Sequence, residues 1–472
     1  MSPGTILDSK PESHPNRSSS KLPQTHTQLD RLTAVLVTAR ERYTSANPTS
    51  SRLHVEATSH LPGGNTRSVL HASPFPLYMT SGAGNTLLDA DGHRYLDLVG
   101  DMTAGLFGHS QPKIQETLVK TISSVGLNLG ATTSAESQFA AVIKERVKSI
   151  EQLRFCNSGT EANLYALSIA KIHTGRRKVL VFKGAYHGGV LGFATGVAVN
   201  NVDRDEWVIG KYNDVASLRE LVRQYKGELA AVLVEGMMGA GGCIPGSAEF
   251  LHAIQEECRS NSLLFILDEV MTFRLAPSGL QSTILHPTTN QALSPDLTTL
   301  GKNIAGGIGI GAFGGRADLM AVYDPRTSSV PHSGTFNNNS LAMACGLVAL
   351  PSIYTPAACL ELNALGDELR AKLNEIGAGT RMKVTGVGAV STVHFMPDPA
   401  AKIRSVEDLE AQKGGIEESL RELFYFFAIE KGYWVARRGM TSLILGTTRD
   451  EVDGFLGIVR AFVEEYRDSL TI

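Results

Sequence analysis

An α/β fold with a mainly parallel sheet and a smaller α+β unit is predicted by two patterns in this chain of 472 residues. Between about residues 110 and 350, near-continuous apolar segments alternate with segments of helical spacing. Beyond about residue 350 the strands shorten and mix with helices. Uniformly apolar strands separated by helices indicate a sheet buried on both faces. The length suffices for two or three domains around a large core.

The elements follow in order. Residues 1–28 are rich in Ser, Pro, Thr and His, bury too little apolar surface to fold alone, and are expected to be a disordered tail. This stretch lacks the apolar run of a secretory signal, and Asp8, Glu12 and few arginines argue against a mitochondrial presequence. A cytoplasmic location is expected. Helical spacing begins near Leu29, and LPGGNTR (Leu61 to Arg67) is a link. DADG (Asp89 to Gly92) reads as a hairpin turn. KVLVFK (Lys178 to Lys183) is a strand and NDVASLRELVRQY (Asn213 to Tyr225) a capped helix. LAAVLVEGM (Leu229 to Met237) is a strand, FLHAIQEEC (Phe250 to Cys258) lies in a helix, and LLFILDEV (Leu263 to Val270) is a buried strand. A last strand, Leu297 to Leu300, ends beside Lys302, and a Gly-rich run to Gly315 follows.

Composition excludes several functions. Hydrophobic residues are 42% and charged residues 19%, as in ordinary globular enzymes. A net charge of −3 offers no basic face for nucleic acid. No apolar run approaches the roughly 20 residues that span a bilayer, so no membrane association is expected. The five cysteines are scattered without a CxxC pair, so neither a disulfide framework nor a metal site is expected, and a reducing compartment fits.

Chemistry gathers at four places. In NSGTEAN, Ser158, Gly159 and Thr160 open a helix, where free N–H groups and two hydroxyls can hold a phosphate. FKGAYHGG puts Tyr186 and His187 just after a strand, where an aromatic can stack on a flat ring. LDEVMT puts Asp268 at the end of the most apolar strand, where a carboxylate needs a partner; a protonated pyridine nitrogen would serve. Val270 points to the same side and can press on a ring face. Lys302, at a strand end, has an amine suited to imine formation once desolvated. Phosphate cradle, stacking aromatic, buried acid and lysine are together the parts of a pyridoxal phosphate site.

NSGTEAN, YHGG, LDEVMT, PDLTTLGK and HSGTFNNN, spread over a chain similar from about residue 45 to its end, resemble the blocks of the class III (subgroup II) pyridoxal-phosphate aminotransferases of fold type I. GGNTRSVLHASPFP, TAGLFGHS, DEVMTFRLAPSGL and GAFGGRADLM are similar to bacterial β-phenylalanine aminotransferases, with glutamate-1-semialdehyde aminomutases next. The resemblance implies a large cofactor domain over 110–350 with a seven-stranded-type sheet. It implies a small domain assembled from 29–109 and 351–472. Lys302 would be the Schiff-base lysine and proton shuttle. Asp268 would contact the pyridine nitrogen, with His187 among the cofactor residues. Tyr186 and Val270 would sandwich the ring, and Ser158, Gly159 and Thr160 would hold the phosphate. Thr335 would reach the phosphate of a neighbouring subunit, which makes a homodimer the expected active unit. Arg67 and Arg438 would bind substrate carboxylates, with Arg437 a neighbouring decoy. The family's acid-proline pair stands as Glu235-Gly236, Met102 replaces an aromatic of the substrate pocket, and Ser134 to Glu136 also differs. The activity implied is ping-pong transfer of an amino group from a β-amino acid or related amine to a 2-oxo acid, 2-oxoglutarate or pyruvate. An aminomutase-like isomerase is the alternative, and a non-catalytic cofactor-fold binding protein a remoter one.

Overall fold

The central sheet is built from the segments with unbroken apolar character. In the computed structural model, which describes residues 22–471, it has seven strands. Their order across the sheet is Gln152–Cys156, Gly311–Gly315, Leu297–Gly301, Leu264–Asp268, Leu229–Glu235, Lys178–Phe182 and Trp207–Gly210. All neighbours are parallel except Gly311–Gly315, which is antiparallel to both of its own. Every residue of the three central strands is buried. Helices such as Gly159–Thr174, Val215–Gln224 and Ala248–Asn261 cover the sheet with their apolar faces.

The strand Gly311–Gly315 corrects the reading of that run as a Gly-rich segment. Its sequence, GAFGG, carries little β-propensity. Its backbone lies so close to its neighbours that glycine is required: a Cβ on Gly315 would overlap the Asp296 carbonyl, and one on Gly311 the Ser158 carbonyl.

Glu235, Asp268 and Thr299 stand side by side in register at the carboxyl ends of three parallel strands. Ligands of open α/β sheets bind at such ends.

The small domain draws on both ends of the chain. Strands Met79–Ala83, Thr86–Asp89 and Arg94–Asp97 form an antiparallel meander, and Tyr433–Trp434 adds in parallel to Arg94–Asp97. The DADG turn joins the second and third strands. The Asp89 carboxylate closes it, accepting from the Asp91 and His93 amides at 2.9 and 2.8 Å and from the Tyr95 hydroxyl at 2.8 Å. A second sheet pairs Met382–Val387, Val390–Phe395 and Met440–Ser442. The first helix, Leu22–Ala46, starts ahead of Leu29; of the expected tail, residues 1–21 lie outside the described residues. Leu32, Leu36, Ala39 and Tyr43 are buried in one cluster with Leu420, Leu423 and Phe424 of helix Gly415–Glu430.

Arg274 ties the domains together. It is fully buried, yet its guanidinium meets only neutral acceptors: the Thr103 carbonyl at 3.2 Å, the Ser442 hydroxyl at 2.8 Å and the Leu443 carbonyl.

Gly315→Ala is expected to cost about 1–3 kcal/mol of stability, the range for overpacking a tight core. Chemical denaturation of the two proteins measures it, and an unchanged unfolding midpoint would contradict the close approach.

Candidate active site

Asp268 ends its strand 4% exposed, in a wall of apolar residues. Burial alone would raise its pKa, but hydrogen bonding and charge from His187, the Val270 amide and Asn163 outweigh burial and hold it below the usual carboxylate range. The His187 ring lies with Nδ1 2.8 Å from Oδ2, Asn163 Nδ2 donates to the same oxygen at 2.8 Å, and the Val270 N–H donates to Oδ1 at 2.9 Å. The aspartate therefore stays an anion at neutral pH, as a partner for a protonated ring nitrogen must.

Asn163 and Thr299 were not singled out from the sequence. Asn163 is 1% exposed on the helix Gly159–Thr174. It donates to the His187 carbonyl at 2.9 Å, and its own carbonyl accepts from the Thr299 hydroxyl at 2.8 Å. One amide thus locks the helix, the Tyr186–His187 loop and the strand leading to Lys302 around the acid. An asparagine in the inner face of an otherwise apolar helix was the available signal.

Lys302 follows the strand Leu297–Gly301 and opens a single helical turn, Lys302–Ala305. Its φ of 53° lies in the left-handed region, costly for a lysine and common at functional sites. Burial lowers its pKa; Asp268 and Glu235 pull the value up, Arg438 and Arg67 push it down, and the balance is a depressed ammonium. A larger share of neutral amine results, the form that attacks a carbonyl or takes a proton.

Ser158 caps the helix Gly159–Thr174, its hydroxyl accepting from the Glu161 amide at 3.2 Å. That leaves the first-turn N–H groups of Gly159 and Thr160 available for an anion. A Cβ on Gly159 would stand 2.7 Å from Val270 Cγ1, so the cradle and Val270 abut. Tyr186 is 50% exposed and lines a cavity with Phe193 and Arg438. Its backbone N–H donates to Glu235 Oε2 at 3.2 Å.

Glu235 is buried beside Asp268 in the next strand, and its Oε1 accepts from the Gly239 N–H at 3.0 Å. Burial, with Asp268 adding to it, pushes its carboxyl up to about 7 against His187 and the two amides. The chain departs here from the family's acid-proline, and the following glycine leaves room for Leu280, whose Cδ2 would lie 3.2 Å from a Cβ on Gly236.

The substrate candidates separate. Arg437, the decoy, pairs with Glu422 at 2.5 Å and lies over the Tyr425 and Phe426 rings. Arg438 has no carboxylate partner among the described residues; it reaches Met440 Sδ at 3.4 Å, and its buried Nε has no partner. With Tyr186 and His394 it lines a cavity of about 310 Å³. Arg67 pairs with Asp101 at 2.5 Å. Met102, half-buried at φ 53°, lines an apolar cavity of about 340 Å³ with Leu77, Tyr78 and Trp434. Thr335 is exposed on the loop that carries Phe336 and Asn337, and the Asn157 side-chain amide donates to the Asn337 side chain at 3.0 Å.

The donor set suits pyridoxal phosphate: an anionic acid for the ring nitrogen, an exposed aromatic, an anion cradle against Val270 and a partly neutral lysine. Fold and site together define a pyridoxal-phosphate transferase of fold type I. The class-III aminotransferase family profile matches residues 69–444, and the chain belongs to that family. It is 44% identical over 441 residues to a β-phenylalanine transaminase of Variovorax paradoxus, covering 93% of this chain and 97% of that one. It is 44% identical over 423 residues to an uncharacterised aminotransferase of Schizosaccharomyces pombe, covering 89% and 93%. A glutamate-1-semialdehyde 2,1-aminomutase of Chloroherpeton thalassium is 32% identical over 425 residues, with 86% and 95% covered. The crystal structure of a β-phenylalanine aminotransferase from Variovorax paradoxus superposes with a TM-score of 0.88 at 42% identity, covering 94% and 99%.

Asp268→Asn is expected to keep the cofactor bound while slowing proton transfer at least about a hundredfold, the scale of losing one aimed electrostatic partner. Single-turnover kinetics with an amine donor read this out, and an unchanged rate would remove the role. Glu235 sets a pH dependence. The folded state holds its proton up to about pH 7, against an ordinary value of 4.5. Between those values the native state binds more protons than the unfolded chain, so this residue's contribution to stability falls as pH rises from 4.5 to about 7 and is level above. Urea unfolding across that window should show the slope, and Glu235→Gln should flatten it.

Proposed function

We propose that this enzyme moves an amino group from a β-amino acid or related amine-bearing acid to a 2-oxo acid, 2-oxoglutarate or pyruvate, in two half-reactions at one site. The observation that carries the reading is a pair of arginines from opposite ends of the chain, Arg438 lining the cavity beside Tyr186 and Arg67 held at the surface by Asp101. A monocarboxylate donor and a dicarboxylate acceptor need two places for a carboxylate, and guanidinium groups give bidentate contacts. The unpartnered Arg438 supports this further.

When bound, pyridoxal phosphate supplies an aldehyde for the amine and an electron sink for the carbanion. The chain supplies the rest. Ser158, Gly159 and Thr160 would fix the phosphate, while Tyr186 and Val270 would bracket the ring. Asp268, held by Asn163 and His187, would keep a proton on the ring nitrogen. Lys302 Nζ, partly neutral through burial, takes a proton from the substrate carbon and returns it on the other side of the transfer. Arg438 and Arg67 orient the carboxylates so that the reacting C–H faces Lys302.

The active unit in this reading is a cytoplasmic homodimer. Val119, Ile122, Leu127, Leu129 and Phe336 are exposed apolar side chains. The Ser340 hydroxyl donates to the Gly126 carbonyl at 2.9 Å and Asn338 to the Ala131 carbonyl at 3.2 Å, which ties their loops together beside Thr335. Exposed apolar side chains near such linked loops suit a second copy of the chain. The five cysteines are buried and free, in keeping with a reducing compartment.

An amino-donor screen with 2-oxoglutarate and pyruvate decides the matter, using both β-phenylalanine enantiomers, aliphatic β-amino acids and simple amines. Turnover with β-amino acids is expected, and Arg438→Ala should raise KM for a carboxylate substrate about ten- to hundredfold, the worth of charge-assisted hydrogen bonds. Isomerisation of glutamate semialdehyde without any added acceptor would replace this reading with the aminomutase one.

A further inference from the structure

The two substrate arginines are held differently. Arg438 has no carboxylate beside it among the described residues. Arg67 pairs with Asp101, Nη1 to Oδ1 at 2.5 Å, and both side chains are open to solvent, 44% and 58% exposed.

Asp101 is the fixed member of that pair. It lies in the turn Gly100–Thr103, whose four residues all have positive φ: 51°, 45°, 53° and 76°. Consecutive left-handed residues are costly outside glycine, and a β-branched residue there is an outlier. The turn is pinned from inside. The buried Asp97 carboxylate accepts from the Val99 and Gly100 amides at 2.7 and 3.0 Å. The Gly105 amide donates to the Gly100 carbonyl at 2.7 Å. Arg274 donates to the Thr103 carbonyl at 3.2 Å from the fully buried core. The backbone strain is thus over-determined by its surroundings, as it is where a fold aims a side chain for use.

Arg67 stands on the opposite kind of support. It lies in extended backbone between the short turns Pro62–Gly64 and Ser68–Leu70. Its long side chain can swing, whereas the backbone that carries Asp101 is held in place. A pair this exposed is weak, because water and salt screen it and both side chains lose freedom in forming it. A carboxylate arriving near Lys302 is therefore a close match for the one it replaces.

We propose that Asp101 is a specificity-determining residue: it is the resident counter-ion of Arg67, and a substrate carboxylate gains that arginine only by displacing it. Charge balances, since one carboxylate leaves the guanidinium as another arrives and Asp101 returns to solvent. A substrate with no carboxylate at that end leaves the pair closed, and the arginine's charge stays masked beside Met102. The site thus accepts a carboxylate or an apolar group at the same end without an unpaired guanidinium facing the latter. This rests on the reading of Arg67 as a carboxylate-binding residue.

The test uses the holoenzyme in steady state with donor and acceptor varied separately. Arg67→Gln first identifies the substrate whose KM depends on Arg67. Asp101→Asn, which tolerates the same left-handed backbone, is expected to lower that substrate's KM about two- to fivefold, with kcat little changed, the scale of an exposed ion pair. Asp101→Glu should return KM to the wild-type value. In the Arg67→Gln background, Asp101→Asn should have no effect. An unchanged or raised KM in Asp101→Asn would overturn the proposal, as would an equal fall in both backgrounds, which would mark a general charge effect. If Arg67→Gln shifts no substrate's KM, the carboxylate role of Arg67 itself fails and this proposal falls with it; an Arg67 effect without an Asp101 effect sinks the proposal alone.

Discussion

Everything near the lysine depends on keeping one carboxylate charged inside an apolar wall. Asp268 ends a strand whose five residues are all buried, and an isolated anion there would take up a proton. Donors from a helix, a loop and the Val270 amide two residues on prevent that. Because those donors come from separate elements, the requirement that Asp268 stay ionised also fixes where the helix, the loop and the lysine strand sit. Asn163 makes the coupling explicit: its amide serves the acid and the His187 loop, and its carbonyl holds Thr299 on the strand leading to Lys302.

The next acid along obeys a different rule. Glu235 sits level with Asp268 in the adjacent strand, and two buried charges side by side are unfavourable. The His187 ring hydrogen-bonds Asp268 and not Glu235, so the two acids divide: one is stabilised as an anion and the other pushed up to about 7. The electrostatic balance at Lys302 adds a second division, with two acids favouring its ammonium and two arginines opposing it.

Much of this was readable from residue order. The apolar strands leading to Glu235, Asp268 and Lys302 announced themselves by composition, because a strand buried on both faces has no alternation to obscure it. The helix cap at Ser158 was legible for a local reason, a hydroxyl followed by free amides. Other features depend on contacts distant in sequence. Gly311–Gly315 read only as a Gly-rich run because its glycines answer to neighbouring backbones rather than to a turn. Asn163 looked like an ordinary helix residue until the helix was placed against the strand ends. The left-handed run from Gly100 to Thr103 has no local cause at Met102 or Thr103; Arg274 and Asp97 impose it. Neighbouring Arg437 and Arg438 are alike in sequence, but Glu422 and two aromatic rings face only Arg437.

The small domain's meander is completed by Tyr433–Trp434, which adds to Arg94–Asp97 from the far end of the chain. On the ribosome that edge stays open until almost the whole polypeptide has been made. The parallel sheet, with Asp268 and Lys302, is encoded entirely before then. Its strands can pair while the C-terminal segment is still in the exit tunnel. Arg438, which follows Tyr433, emerges only with that last segment. A nascent chain thus acquires the cofactor scaffold before it has both of its substrate arginines, and a message truncated shortly before Tyr433 would yield a cofactor scaffold lacking Arg438.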